Sequence, residues 1–199
     1  MGKRSVAAPS AGIAGLALMT ALTVTSTASP AGAGTCPAST TCPTTVTFTV
    51  NAPDGLTISV PDGPVNIGSG APGAQISGVL GPVTVSDQRA VLTATWVATV
   101  SAAAGGFTTG GGTAAETVPN SAVLYWSGTG TYTGGVPADF SPGQATAGDA
   151  QSLNVSRTAF SKTSGSGDNS ATWDPTIVVN VPAQAVAGTY TGTVNHSVA

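Results

Sequence analysis

The closing stretch of the chain, ATWDPTIVVNVPAQAVAGTYTGTVNHSVA from Ala171 to Ala199, most constrains what it can fold into. Trp173, Ile177, Val179 and Val181 fall on one parity, as do Tyr190, Val194, His196 and Val198, with Thr, Asn and Ser between them. A period of two sends apolar side chains to one face and polar ones to the other, which predicts two half-buried strands. Pro175, Pro182 and the Ala187-Gly188 pair punctuate the segment, so it reads as a strand, a surface crossing and a final strand.

The same style extends upstream. Val46, Phe48 and Val50 alternate with threonines, predicting a strand over Thr44–Val50. Leu56-Ile58-Val60 predicts a second strand and Val65 with Ile67 a short third, with turns at Asp54-Gly55 and Asp62-Gly63. Val83 and Val85 lead to a turn at Ser86-Asp87-Gln88-Arg89, where Asp87 and Arg89 are expected to pair at the surface. Leu92 to Val100 then predicts a long strand with Trp96 at its centre, where an indole serves as a core anchor. Ala102 to Ala122 reads as a Gly- and Thr-rich loop with Phe107 tucked beneath it. Val123–Trp126 reads as a short strand whose neighbouring aromatics, Tyr125 and Trp126, point to opposite faces. Shorter strands follow at Leu153-Val155 and Ala159-Phe160. Parity predicts buried Trp96, Trp173 and Val179 and a partly exposed Trp126. Gly and Pro every few residues argue against any helix of normal length after the N-terminus. The expected fold is all-β, an immunoglobulin-like antiparallel β-sandwich of about nine strands with Greek-key connections, following an N-terminal signal helix.

Lys3 and Arg4 precede an apolar run from Ile13 to Val24, and Ala31-Gly32-Ala33 closes it with an A-x-A site. This predicts a signal peptide over residues 1–33, a disulfide-bearing arm over 34–43 and a β-sandwich domain over 44–199, exported and free of the membrane after cleavage. A lipid anchor on Cys36 is the alternative, but Gly34 and Thr35 make a poor lipobox. Cys36 and Cys42, with five residues between them, are expected to form a disulfide after export if the chain turns at Pro37-Ala38-Ser39. A zinc site is the sharper alternative, disfavoured because the chain has one histidine. After cleavage three cations, Arg89, Arg157 and Lys162, face eight acids for a net charge of −5, which leaves no electrostatic footprint for nucleic acid.

Catalysis finds little to work with. Nucleophilic chemistry needs a base, and His196, the fourth residue counting back from Ala199, stands at the end of a strand pattern. Paired carboxylates could come from Asp139, Asp149, Asp168 and Asp174, but all lie in loops or beside turns. Neither calcium-loop nor phosphate-loop spacing occurs. The expectation is a protein that is not an enzyme and takes no cofactor or metal.

The block VTVSDQRAVLTATWVATVSA and the ending VPAQAVAGTYTGTVNHSVA together resemble the WxL family of bacterial cell-surface proteins. That family carries a V-x-D-x-R turn before its first tryptophan motif, matched by Val85-Ser86-Asp87-Gln88-Arg89 and Trp96. Its closing strand, A-G-x-Y-x-G-x-[VIL]-x-W-x-L, is matched from Ala187 to Val194. Ala98 stands for the first motif's leucine, and His196 and Val198 for the second motif's tryptophan and leucine, so both motifs are degenerate. The resemblance implies an exported β-rich domain held noncovalently on the Gram-positive wall with peptidoglycan as ligand, and it points to Trp96, Tyr190, His196 and Trp126 as ligand-binding residues. The Gly/Ala/Thr bias fits a high-GC actinobacterial source. The alternative is a structural, pilin- or coat-like subunit that pairs an exposed edge strand with other surface proteins.

Overall fold

The computed structural model describes residues 35–53 and 55–199, so the expected signal helix and Asp54 lie outside the described residues. The chain divides into one unit ending at Phe48 and a second from Thr49 to Ala199.

In the first unit Cys36 and Cys42 form a disulfide with their Cα atoms 6.1 Å apart. The turn expected there forms as Thr40 donates from both its N–H and its hydroxyl to the Pro37 carbonyl, with Ser39 in the left-handed region. The strand expected over Thr44–Val50 is absent. That stretch belongs to no sheet, and Val46, Phe48 and Val50 are 79%, 86% and 76% exposed. Its alternation suits a strand, but a strand also needs a neighbour to accept its main-chain hydrogen bonds.

The second unit is all-β, with fourteen short strands among its described residues and each of their pairings antiparallel. They are β1 (Leu56–Ser59), β2 (Gln75–Val79), β3 (Val83–Asp87), β4 (Trp96–Ala102), β5 (Phe107–Thr108), β6 (Thr117–Val118) and β7 (Val123–Trp126), then β8 (Thr131–Thr133), β9 (Phe140–Pro142), β10 (Gln151–Ser152), β11 (Arg157–Lys162), β12 (Asn169–Trp173), β13 (Thr176–Asn180) and β14 (Val194–Val198). The first sheet has the order β1-β3-β12-β8, the second β10-β7-β13-β2 and the third β14-β4-β11-β9, and β5 and β6 form a two-stranded ribbon.

Three strands of the first sheet continue into the second across short breaks. These are β2 to β3 through Leu80-Gly81-Pro82, β12 to β13 through Asp174-Pro175, and β7 to β8 through Ser127–Gly130. The two sheets are therefore one layer bent along a line of Pro and Gly, and the third sheet packs over both halves. Pro175 supplies no N–H, so the single strand expected from Trp173 to Val181 breaks there, and its carbonyl instead accepts from Leu80 N at 2.8 Å. The even spacing survives the break: Trp173 and Ile177 are each 1% exposed and Val179 8%. Phe160 of the third sheet stacks on Trp173 with ring centroids 5.0 Å apart and lies 6.4 Å from Trp96, which is 2% exposed. Gly130, on the bend, leaves room for this stack, since a Cβ there would stand 2.9 Å from both the Phe160 ring and the Thr172 carbonyl.

Other boundaries differ from the sequence reading for local reasons. Val65 and Ile67 form no strand, and Ile67 lies over Gly78 of β2, where a Cβ would meet its backbone at 2.8 Å. The Leu92–Val100 strand begins only at Trp96. Leu92 is 89% exposed, and residues 91–94 bond to the 165–167 loop through Gly167 N to Val91 O and Ala94 N to Gly165 O. Part of the 102–122 loop is the β5-β6 ribbon, and Tyr190 precedes the final strand rather than belonging to it.

Candidate functional site

The turn after β3 is built around buried polar groups, because Asp87 shares the inward parity of Val83 and Val85 and Asn169 that of Ala171 and Trp173. Asp87 is fully buried and pairs in bidentate fashion with Arg89, Nε to Oδ1 and Nη2 to Oδ2 each 2.8 Å. The expected surface pair is thus a half-buried one with a dry carboxylate. Asn169 donates to Asp87 Oδ2 at 3.3 Å and accepts from Trp96 Nε1 at 2.8 Å, while Arg89 also donates to the Thr95 carbonyl at 2.9 Å. The Arg89 hydrogen bonds outweigh desolvation and hold the Asp87 carboxyl below its ordinary 3.8. The residues that match the V-x-D-x-R turn and the first tryptophan therefore form one network, and its task here is to join the first sheet to the third.

The four residues assigned to ligand binding do not converge on one surface. Trp96 presents no ring face to solvent. Trp126 lies on the opposite face of β7 from buried Tyr125 and is partly exposed, as its parity predicts. Tyr190 is half-buried, with its hydroxyl shared between the Ala115 carbonyl at 3.0 Å and the Val186 carbonyl at 2.9 Å. His196 points inward, its ring 5.8 Å from Tyr125, which accepts from Trp173 Nε1 at 3.0 Å. His196 Nε2 is buried with no hydrogen-bond partner among the described residues, and desolvation lowers the imidazole from 6.5 to about 4.

Two of the four acids weighed as catalytic pairs, Asp139 and Asp149, serve turns. Asp139 accepts from Val136 N at 3.0 Å and from the Ser164 hydroxyl at 2.5 Å, and Asp149 accepts from Thr146 N and hydroxyl at 3.0 and 2.7 Å. Among the described residues no three His, Cys, Asp or Glu side chains gather as a metal site.

A different surface emerges on the outer face of the first sheet. Cross-strand register aligns Thr57, Ser86, Ser170 and Thr133 in one row and Ser59, Thr84, Thr172 and Thr131 in the next. Thr84 and Thr172 hydroxyls lie 2.8 Å apart, as do those of Thr133 and Ser170. Beside the first row a shallow cleft of about 240 Å³ is lined by Gln88, Asp168 and Asn169 together with Ser86, Thr133 and Ser170. The sequence alone places Ser86 in a turn and predicts no strand over Thr131–Thr133, so neither row is visible in it. Their alignment depends on which strands become neighbours, and no single segment carries that information.

Comparison with protein-family models, with curated proteins and with solved structures finds no match to the chain.

Proposed function

We propose that the protein is an exported, non-catalytic cell-surface module that associates noncovalently with the wall glycan, peptidoglycan. The resemblance to WxL proteins supports this reading, and the double row of eight Ser and Thr side chains carries it. Hydroxyls spaced about 4.8 Å apart across strands suit a polyhydroxylated polymer, because each can donate or accept as the ligand requires. The aromatic set assigned from the resemblance is replaced in this reading by the hydroxyl face and its cleft, because Trp96 is buried, His196 points inward and Trp126 stands on the face of β7 opposite Tyr125. Single contacts of this kind are weak, and a repeating polymer compensates by offering many equivalent sites.

Two consequences are measurable with washed peptidoglycan. Retention is insensitive to salt, since the surface uses hydroxyls rather than ion pairs. Replacing both Thr84 and Thr172 by Ala removes a mutually bonded pair, leaves the fold intact and weakens retention about tenfold. Unchanged retention of that double variant would dismiss this face as the glycan site.

A further inference from the structure

The arm Thr44–Val50 and the edge strand β14 are complementary. The arm carries Val46, Phe48 and Val50 on one parity and Thr45, Thr47 and Thr49 on the other, with the three apolar side chains 76–86% exposed and no strand partner among the described residues. Large apolar groups at that exposure, on a segment patterned as a strand, are the hallmark of a surface awaiting a partner.

β14 pairs with β4 on one side and is the last strand of its sheet on the other. Val97 and Ala199 exchange both main-chain hydrogen bonds, and Ala103 N donates to Thr193 O, so the odd-numbered residues between face β4. The N–H and C=O groups of Val194, His196 and Val198 therefore point away from β4, toward the free edge. The same three side chains turn inward but stay only half-buried, as do Leu56 and Ile58 on β1 across the sandwich, whereas Val83, Val85, Ala98 and Val100 are at most 1% exposed. The core is thus incompletely covered on this side. Nothing guards the edge either, since β14 contains no Lys, Glu, Asp or Pro.

We infer that the arm of one copy adds as a strand to the β14 edge of a second copy of this chain. Val46, Phe48 and Val50 then cover the half-buried side chains of that edge. The arm threonines extend the outer face, where Asn195, Ser197, Thr99 and Ser101 already stand. Three apolar residues on the donor meet three inward positions on the acceptor, a match of both length and parity. Each copy has one donor and one acceptor, so addition runs head to tail. The inference does not depend on glycan binding and is tested without wall material.

Sedimentation of the secreted chain over a concentration series is expected to show concentration-dependent assembly. Phe48→Asp, a change at an exposed site, and Val198→Pro, which removes an N–H facing the free edge and no hydrogen bond to β4, are each expected to weaken assembly on the order of 10–100-fold with an unchanged circular dichroism spectrum. A mixture of the two variants retains one sound donor and one sound acceptor and is expected to give pairs and nothing larger. A chain that stays monomeric at all concentrations, or assembly indifferent to Phe48→Asp, overturns the inference. Loss with Phe48→Asp but not with Val198→Pro overturns the assignment to β14.

Discussion

His196 places a neutral imidazole against Tyr125 in the wall between the second and third sheets, where Nε2 has no partner among the described residues. Among the described residues no Asp, Glu, Lys or Arg forms an ion pair with it. Desolvation therefore acts alone, and it disfavours the charged ring. The folded chain takes up its proton near pH 4 while the unfolded chain does so near 6.5, so the unfolded state binds more protons between those values. Stability is full above pH 6.5 and falls as pH drops through that window, by up to about 3 kcal/mol. Denaturant midpoints measured from pH 7.5 to 4 should decline for the native chain and stay level for His196→Leu. Parallel slopes for the two would show that the ring titrates freely. Asp87 adds a loss of its own only at lower pH, since its carboxyl titrates below 3.8.

Among the elements, the connection from β3 to β4 depends most on a few side chains. Residues 88–95 form no strand, yet Arg89 ties Asp87 to the Thr95 carbonyl and Ala94 N reaches Gly165 O at 2.9 Å. Ala90 adopts a left-handed φ of 49°, a strain on a residue with a Cβ that these bonds hold in place. Asp87→Ala frees the Arg89 guanidinium and leaves Asn169 Nδ2 with one fewer acceptor in a buried site. The expected cost is about 3 kcal/mol, read as a lower urea midpoint at neutral pH. A loss below about 1 kcal/mol would mean that the pair behaves as an ordinary surface ion pair.

For the molecule as a whole, the buried core runs from Val83 to Val179 and draws on all three large sheets. Cys36 and Cys42 contribute nothing to it. Their bridge closes a loop of five exposed residues and so constrains the unfolded chain only locally. Reduction is expected to move the melting temperature of the sandwich by less than about 2 °C, measured by following tryptophan fluorescence with and without reductant. A drop of 10 °C would show that the first unit supports the second.

Within the strands that found partners, parity by itself decided which side chains go inside. The even spacing of Trp173, Ile177 and Val179, the inward place of Trp96, and the split between Tyr125 and Trp126 were all legible, because a strand alternates its faces whatever its neighbours. The same rule, applied to Asp87 and Asn169, would have found the buried polar network, but the residue types suggested a surface turn and a loop. Tertiary structure alone decided the pairing. It divided the Trp173–Val181 run between two sheets, left Thr44–Val50 without a partner among the described residues, and brought Thr57, Ser86, Ser170 and Thr133 into one row. The physical reason is that a strand's side-chain alternation is local, whereas its hydrogen-bond partners come from distant parts of the chain. A surface assembled from four strands has no signature in any one of them.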